Sequence, residues 1–218
     1  MENVKGLISH DNKNTFNTIL TKINEISTNN NEYYKTKYII LNTKDFGIPQ
    51  NRERVYIICF KNNIDYEKFK FIDINKYKNK YNIIEKKISD ILENNVDDKY
   101  YYDSRFKCYD LLKSNITNYN TIYQYRRTYV RENKNGICPT ITYNMCSGGH
   151  NVPLILQENN KIRKLTPKEC FKLQGFNKKY KLNNLNDNKL YGLAGNAISV
   201  CVVKYLSKCL KKIIKNNK

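Results

Sequence analysis

Tryptophan is absent from this chain of 218 residues, alanine occurs only at Ala194 and Ala197, and there are four prolines and two histidines. Asparagine, lysine, isoleucine and tyrosine fill the space left, a bias of the kind an AT-rich genome produces, so a single Asn or Lys says little about function. No apolar run reaches the length of about 18 residues that a membrane-spanning helix needs. A signal peptide needs an apolar stretch near the N-terminus, yet residues 1–20 carry Glu2, Lys5, His10, Asp11 and Lys13. The seven cysteines form no Cys-x-x-Cys pair and no Cys/His cluster, which excludes a disulfide framework and leaves no metal site to propose. They read as thiols of a reducing compartment, and the expectation is a soluble, cytoplasmic chain that is not secreted and has no membrane partner.

What the chain has in excess is positive charge. Lys and Arg number 39 against 20 Asp and Glu, a formal net charge of +19 with a sequence pI near 9.5. Such a balance suits a partner made of phosphate, and nucleic acid is the first to consider. The length suits one large domain or two small ones.

Phe16, Ile19, Leu20 and Ile23 recur at helical spacing, predicting a helix over 14–26. Tyr38-Ile39-Ile40-Leu41 and Val55-Tyr56-Ile57-Ile58-Cys59-Phe60 are β-rich runs separated by a loop with Gly47 and Pro49. Residues 61–120 carry only weak helical phasing, around Ile84, Ile88 and Ile91. From Tyr123 the chain is basic and aromatic, with Arg126, Arg127, Tyr129 and Arg131, then turn-rich. Thr166-Pro167-Lys168-Glu169 is a capping box with proline at the first helical position and predicts a short helix over 167–173. Ile198, Val202, Tyr205, Leu206, Cys209 and Ile213 mark one face of a C-terminal helix. The fold class is α/β, with a second, small and mostly irregular β domain.

The most specific string is Asp45-Phe46-Gly47-Ile48-Pro49-Gln50-Asn51-Arg52-Glu53-Arg54-Val55. Arg52 and Arg54, two apart on an extended segment, point the same way. Their planar donors suit acceptor-only groups such as a phosphate or a pyrimidine carbonyl. Taken alone, the string reads equally well as a charged strand edge. Together with Glu2-Asn3-Val4, Arg163 to Phe176 and Ala194-Gly195-Asn196-Ala197-Ile198-Ser199-Val200, it resembles the C-terminal half of the DNA cytosine-5 methyltransferases, with four signatures in family order. Residues 139–153 are similar to the end of that family's target-recognition region.

The resemblance implies the rest. Residues 1–60 would be the C-terminal part of a Rossmann-like catalytic domain, contributing outer strands. Residues 61–162 would read DNA, and residues 163–218 would be helices returning to the catalytic domain. Glu2 would be the acid at N3 of a flipped cytosine. Arg54 first and Arg52 second would contact that base or its phosphate, while Gln50 would hold the loop. Gly195, Asn196 and Ala197 would open the last helix and receive S-adenosylmethionine at its positive end. Ala197 and Cys201 depart from the family's usual serine and proline, which puts the helix start in doubt. Arg126, Arg127 and Arg131 would contact duplex DNA, and Gly148 and Gly149 would let its backbone approach. Cys170 would fill core.

Two family elements are missing from the sequence: the Phe-x-Gly-x-Gly cofactor loop and the Pro-Cys-Gln nucleophile. The implied protein is therefore part of a restriction-modification cytosine-5 methyltransferase, a split subunit or truncated fragment inactive until a partner supplies the N-terminal half. A split gene, a frameshift and a late start codon all fit. A non-catalytic DNA-binding module is one alternative, and a transfer-RNA cytosine-5 methyltransferase relative is another. Without the missing half, the C-terminal helix is expected to face a largely absent sheet.

Overall fold

The computed structural model describes residues 1–26, 33–61, 63–133, 135–146, 152–182 and 184–216. From the N-terminus, β1 (Glu2–Val4) precedes α1 (Asn14–Asn24), β2 (Lys35–Asn42), a two-residue β3 (Gln50–Asn51) and β4 (Glu53–Phe60). Then come α2 (Asn63–Lys68), α3 (Ile74–Lys80) and α4 (Tyr109–Asn115). The strands β5 (Ile122–Tyr125), β6 (Val130–Asn133), β7 (Cys138–Pro139), β8 (Leu154–Leu156) and β9 (Ile162–Lys164) follow. Three helices close the chain: α5 (Pro167–Leu173), α6 (Asp187–Asn196) and α7 (Val200–Asn216).

A first sheet has the order β1-β4-β2 and is antiparallel throughout. Because side chains alternate across a strand, β4 serves two cores. Val55 and Ile57 pack under α1 with Phe16, Ile19 and Leu20. Tyr56 and Phe60 face the other way, onto Val202, Tyr205, Cys209 and Ile213 of α7 and onto Phe69 and Tyr77. The expectation that α7 would face an absent sheet is thus corrected. The apolar stripe is covered by β2, β4 and the aromatic residues of 69–77, and Tyr77 meets Tyr205 edge-on at 5.0 Å. That cover comes from a Lys/Asn/Tyr-rich stretch with no signal in the sequence, and it lies within the 61–162 segment.

A second antiparallel sheet, of order β6-β5-β8-β9, extends past position 162 through β9. Leu112 of α4 and Ile116 just after it cover one face of it, and α5 and α6 pack on the other through Cys170, Leu173, Tyr191 and Ala194. Its strands are three or four residues long with irregular connections. The parallel pairing of β3 with β7 joins the two sheets' regions.

The capping box forms as predicted: Thr166 Oγ1 accepts from Glu169 N and the Glu169 carboxylate accepts from Thr166 N, over a helix spanning Pro167–Leu173. The first helix ends at Asn24 rather than 26. The helix α6 has no counterpart among the sequence-based expectations. With α7 it makes Asp187–Ile213 the one stretch, among the described residues, with the length and composition of a membrane span. Extended backbone at Ala197 interrupts that stretch, and both helices pack on the cores just described.

Candidate functional site

The first sheet's register brings two sequence-predicted residues, Glu2 and Arg54, together. Glu2 pairs with Tyr56 and Val4 with Arg54 across the β1–β4 ladder, so Glu2, Arg54 and Tyr56 share one face. Glu2 Oε1 lies 3.8 Å from Arg54 Nε and 3.9 Å from Arg52 Nη2, and the Tyr56 hydroxyl donates toward it at 3.5 Å. Side-chain exposure grades outward, from 3% at Arg52 through 13% at Arg54 to 17% at Glu2. The carboxylate is therefore at the mouth with the guanidinium groups behind it.

The two arginines do different work. Arg52 donates from Nη1 to Ile141 O at 3.1 Å and from Nη2 to Ala197 O at 3.3 Å, tying the loop after β7 and the residue that follows α6 to the sheet. Its Nε is buried without a partner. Burial, and then the Arg54 charge, bring the Arg52 guanidinium down to about 10 against the opposing pull of Glu2, which still leaves it charged at neutral pH. Arg54 donates from Nη1 to Glu53 O at 2.8 Å, and burial lowers it against the opposing pull of Glu2. Burial, reinforced by the Glu2 charge, pushes the Tyr56 phenol up, so it remains a donor.

Gln50 holds the loop: Nε2 donates to Leu173 O at 2.8 Å and Oε1 accepts from Ile141 N at 3.1 Å. A second buried relay escaped sequence reasoning. Gln174 Nε2 donates to Ala194 O at 2.7 Å, its Oε1 accepts from Ser199 Oγ at 3.1 Å, and Ser199 Oγ lies 2.8 Å from Thr43 Oγ1. This relay sets the corner between α6 and α7. Gln174 and Ser199 both stand inside the family-like motifs, which was the available signal.

Gly195 and Asn196 do not open the last helix. They form the final turn of α6, the backbone is extended at Ala197, and α7 begins at Val200 behind Ser199. The reason is packing. A Cβ at Gly195 would fall onto the Thr142 carbonyl and Tyr143 N, so only glycine lets α6 approach that backbone. Gly195→Ala is expected to cost roughly 1–3 kcal/mol by forced overpacking. Equilibrium urea unfolding of the two chains checks it, and an unchanged midpoint would remove the close approach from the account. Asn196 is exposed and Ala197 half-buried.

Arg126 and Arg127 sit at the tip of the β5–β6 hairpin, where Arg126 N donates to Tyr129 O at 2.8 Å and Arg127 adopts φ +63°. Arg126 Nη2 is 3.4 Å from Gln124 Oε1. Arg131 lies opposite Gln124 in β6, and all three arginines are exposed. Gly148 and Gly149 lie outside the described residues. Cys170 is fully buried, as expected of core.

Five of the seven cysteines lie where burial disfavours a thiolate. Burial pushes up Cys108, Cys138, Cys146 and Cys170, and Cys201 to about 11. Cys209 is buried, and Cys59 lies exposed on β4. Among the described residues no group of His, Cys, Asp and Glu is placed to hold a metal ion.

The family model for C-5 cytosine-specific DNA methylase matches residues 1–212. The chain belongs to the C-5 cytosine-specific DNA methylase family. The Type II methyltransferase M.Bsp6I of Bacillus sp. (strain RFL6) is 42% identical over 97% of this chain and 64% of its own length. The Type II methyltransferase M.HaeII of Haemophilus aegyptius is 33% identical over 95% of this chain and 58% of its own length. The chain thus spans less than two thirds of the length of these relatives. Two solved structures share the fold at a TM-score of 0.60. The Entamoeba histolytica methyltransferase EhMeth, 20% identical, is matched over 98% of this chain and 62% of that one. The S. pombe Dnmt2 methyltransferase, 19% identical, is matched over 98% and 66%. For this member of the C-5 methylase family, the α/β expectation therefore holds.

Proposed function

We propose that this chain is the C-terminal half of a type II DNA cytosine-5 methyltransferase, inactive alone and completed by a polypeptide that carries the cofactor loop and the nucleophile. The observation that carries the reading is the convergence of Arg52 and Arg54 on the Glu2 carboxylate at the open end of the sheet. In the completed enzyme a flipped cytosine sits against Glu2, whose carboxyl holds a proton at N3 while the ring accepts the nucleophile at carbon 6. Arg54, with its outer donors uncommitted to the second sheet, serves the base carbonyl or the adjoining phosphate. Arg52 holds the recognition segment and α6 against the sheet.

S-adenosylmethionine, when bound, supplies an electrophilic methyl group. The residues present fit only part of its cradle. The exposed Asn196 amide at the end of α6 has the donor and acceptor to hold a polar portion of it, while Gly195 is committed to packing and Ala197 O to Arg52.

Duplex DNA is the proposed substrate, and the exposed hairpin tip with Arg126, Arg127 and Tyr129 supports it. Filter binding at fixed salt, duplex DNA against transfer RNA, tests the preference. Affinity for duplex is expected to exceed that for transfer RNA and to fall steeply as salt rises, because neutralised phosphates release counterions. Replacing Arg126 or Arg127 by alanine should weaken all duplexes alike and reduce the log–log salt slope by about 1 for each phosphate no longer neutralised. Tighter binding to transfer RNA would favour the RNA-directed relative. Affinity indifferent to salt would count against a nucleic-acid surface of any kind.

A further inference from the structure

Two stretches of this chain, residues 135–146 and 190–203, carry no lysine, arginine, aspartate or glutamate, although the chain as a whole has a net charge of +19. The fold brings them together. Thr142 and Tyr143 pass so close beside α6 that a Cβ at Gly195 would fall onto the peptide between them, and one at Gly192 would lie 2.9 Å from Tyr143 Cε2. The Tyr143 ring is thus seated against Gly192.

That ring is fixed yet open. Tyr143 starts a single 3-10 turn, Tyr143–Met145, in which Met145 N donates to Thr142 O at 3.2 Å. Met145 is fully buried, and Ile141, two residues before the ring, is gripped through its N and O by Gln50 and Arg52. Tyr143 itself is 58% exposed, and its hydroxyl has no hydrogen-bond partner among the described residues. Asn144 beside it is exposed, and so is Leu193 on α6. This surface adjoins the acid, because Arg52 also donates to Ala197 O at the end of α6 and lies 3.9 Å from Glu2 Oε1.

We infer that Tyr143, with Asn144 and Leu193 around it, is a stacking seat for a nucleobase of the bound DNA that base flipping leaves unstacked. This rests on the reading of the chain as one half of a cytosine-5 methyltransferase. Turning a cytosine out of the duplex bares the faces of its neighbours and leaves its partner unpaired. A base face is uncharged and stacks on an aromatic plane whatever the sequence. A phosphate calls instead for cations, such as the arginines of the β5–β6 hairpin, and the two stretches that build this surface contribute none. The Asn144 amide, donor and acceptor at once, suits a base edge. Because the ring is already held in place, little side-chain entropy is lost when a base settles on it.

The test uses the full chain and two DNA probes: a fully paired duplex, and the same duplex with one cytosine opposite an abasic site, where unstacking costs least. Filter binding at fixed salt should show the second probe bound at least about 5-fold more tightly, the lower end of what one stacked base contributes. Tyr143→Ala should abolish that preference. Tyr143→Phe keeps the ring and should keep the preference to within about 2-fold. Neither substitution should alter circular dichroism or the log–log salt slope, because a stacked base releases no counterions. Labelled S-adenosylmethionine, whose adenine is also a flat base, is the second arm, and its binding should be indifferent to Tyr143.

A preference retained by Tyr143→Ala, or absent from the unsubstituted chain, would overturn the inference. So would equal losses in Tyr143→Ala and Tyr143→Phe, which would make the hydroxyl the contact, and a salt slope reduced by Tyr143→Ala, which would make the contact a phosphate. Loss of S-adenosylmethionine binding with the probe preference intact would assign the ring to the cofactor instead. A preference that depends on Tyr143, with no methyl transfer when a chain bearing the cofactor loop and the nucleophile is co-expressed, upholds the seat and sinks the functional reading. Methyl transfer by that pair, with probe binding indifferent to Tyr143, does the opposite.

Discussion

Replacing Glu169 by glutamine should destabilise the protein by about 3–5 kcal/mol, the usual consequence of leaving one partner of a fully buried ion pair without the other. Glu169 and Arg163 are both completely buried and meet in a two-pronged pair at 2.7 and 2.8 Å. The same carboxylate accepts from Thr166 N at 2.7 Å and Glu93 N at 2.8 Å, so one side chain joins β9, the start of α5 and the loop at residue 93. Glutamine matches the shape but offers one acceptor oxygen where four donors converge, and it strands the Arg163 charge. For a domain of this size the midpoint of thermal unfolding should drop by roughly 10 °C. A loss below about 1 kcal/mol in urea unfolding would show that the carboxylate is not what holds this corner.

Glu2→Gln should act far more on turnover than on folding or DNA affinity. In the completed enzyme the amide still reaches N3 but has no proton to share, and turnover is expected to fall on the order of 10²-fold or more. The DNA dissociation constant should change by no more than a few fold, since Glu2 reads no sequence. Loss of its carboxylate also leaves Arg52 and Arg54 facing each other without the counter-charge now 3.8 to 3.9 Å away. Both variants lose that charge, but glutamine keeps an oxygen facing the Tyr56 hydroxyl, so Glu2→Ala is the harsher control and is expected to lower stability more. Single-turnover methyl transfer beside DNA binding on the same preparations separates the effects. Equal losses in affinity and in rate would assign Glu2 to binding.

The parts of this architecture legible in the sequence are those written locally. The strands β2 and β4 follow from runs of branched and aromatic residues, α5 from its capping box, and the shared face of Arg52 and Arg54 from the period of a strand. The convergence on Glu2 needed a resemblance to connect residue 2 with residues 52 and 54, because a register between distant strands leaves no mark on either. The helix α6 was hidden by Gly192 and Gly195, which weaken helical propensity; Gly195 packs against the Thr142–Tyr143 backbone and Gly192 against the Tyr143 ring. That misplacement carried Asn196 from the start of one helix to the end of another. Similarly, Phe69 and Tyr77 close the core under α7 from a segment whose apolar residues are interrupted by lysine and asparagine without a clear period, and the Arg163–Glu169 pair links elements through tertiary structure alone.

The measurement closest to the central claim is transfer of labelled methyl groups from S-adenosylmethionine to duplex DNA by three preparations: this chain, a chain carrying the cofactor loop and the Pro-Cys-Gln nucleophile, and the two co-expressed. The account predicts methylated cytosine from the co-expressed pair and none from either chain alone. Robust methylation by this chain alone would contradict it, since one of the seven cysteines would then have to act as the nucleophile.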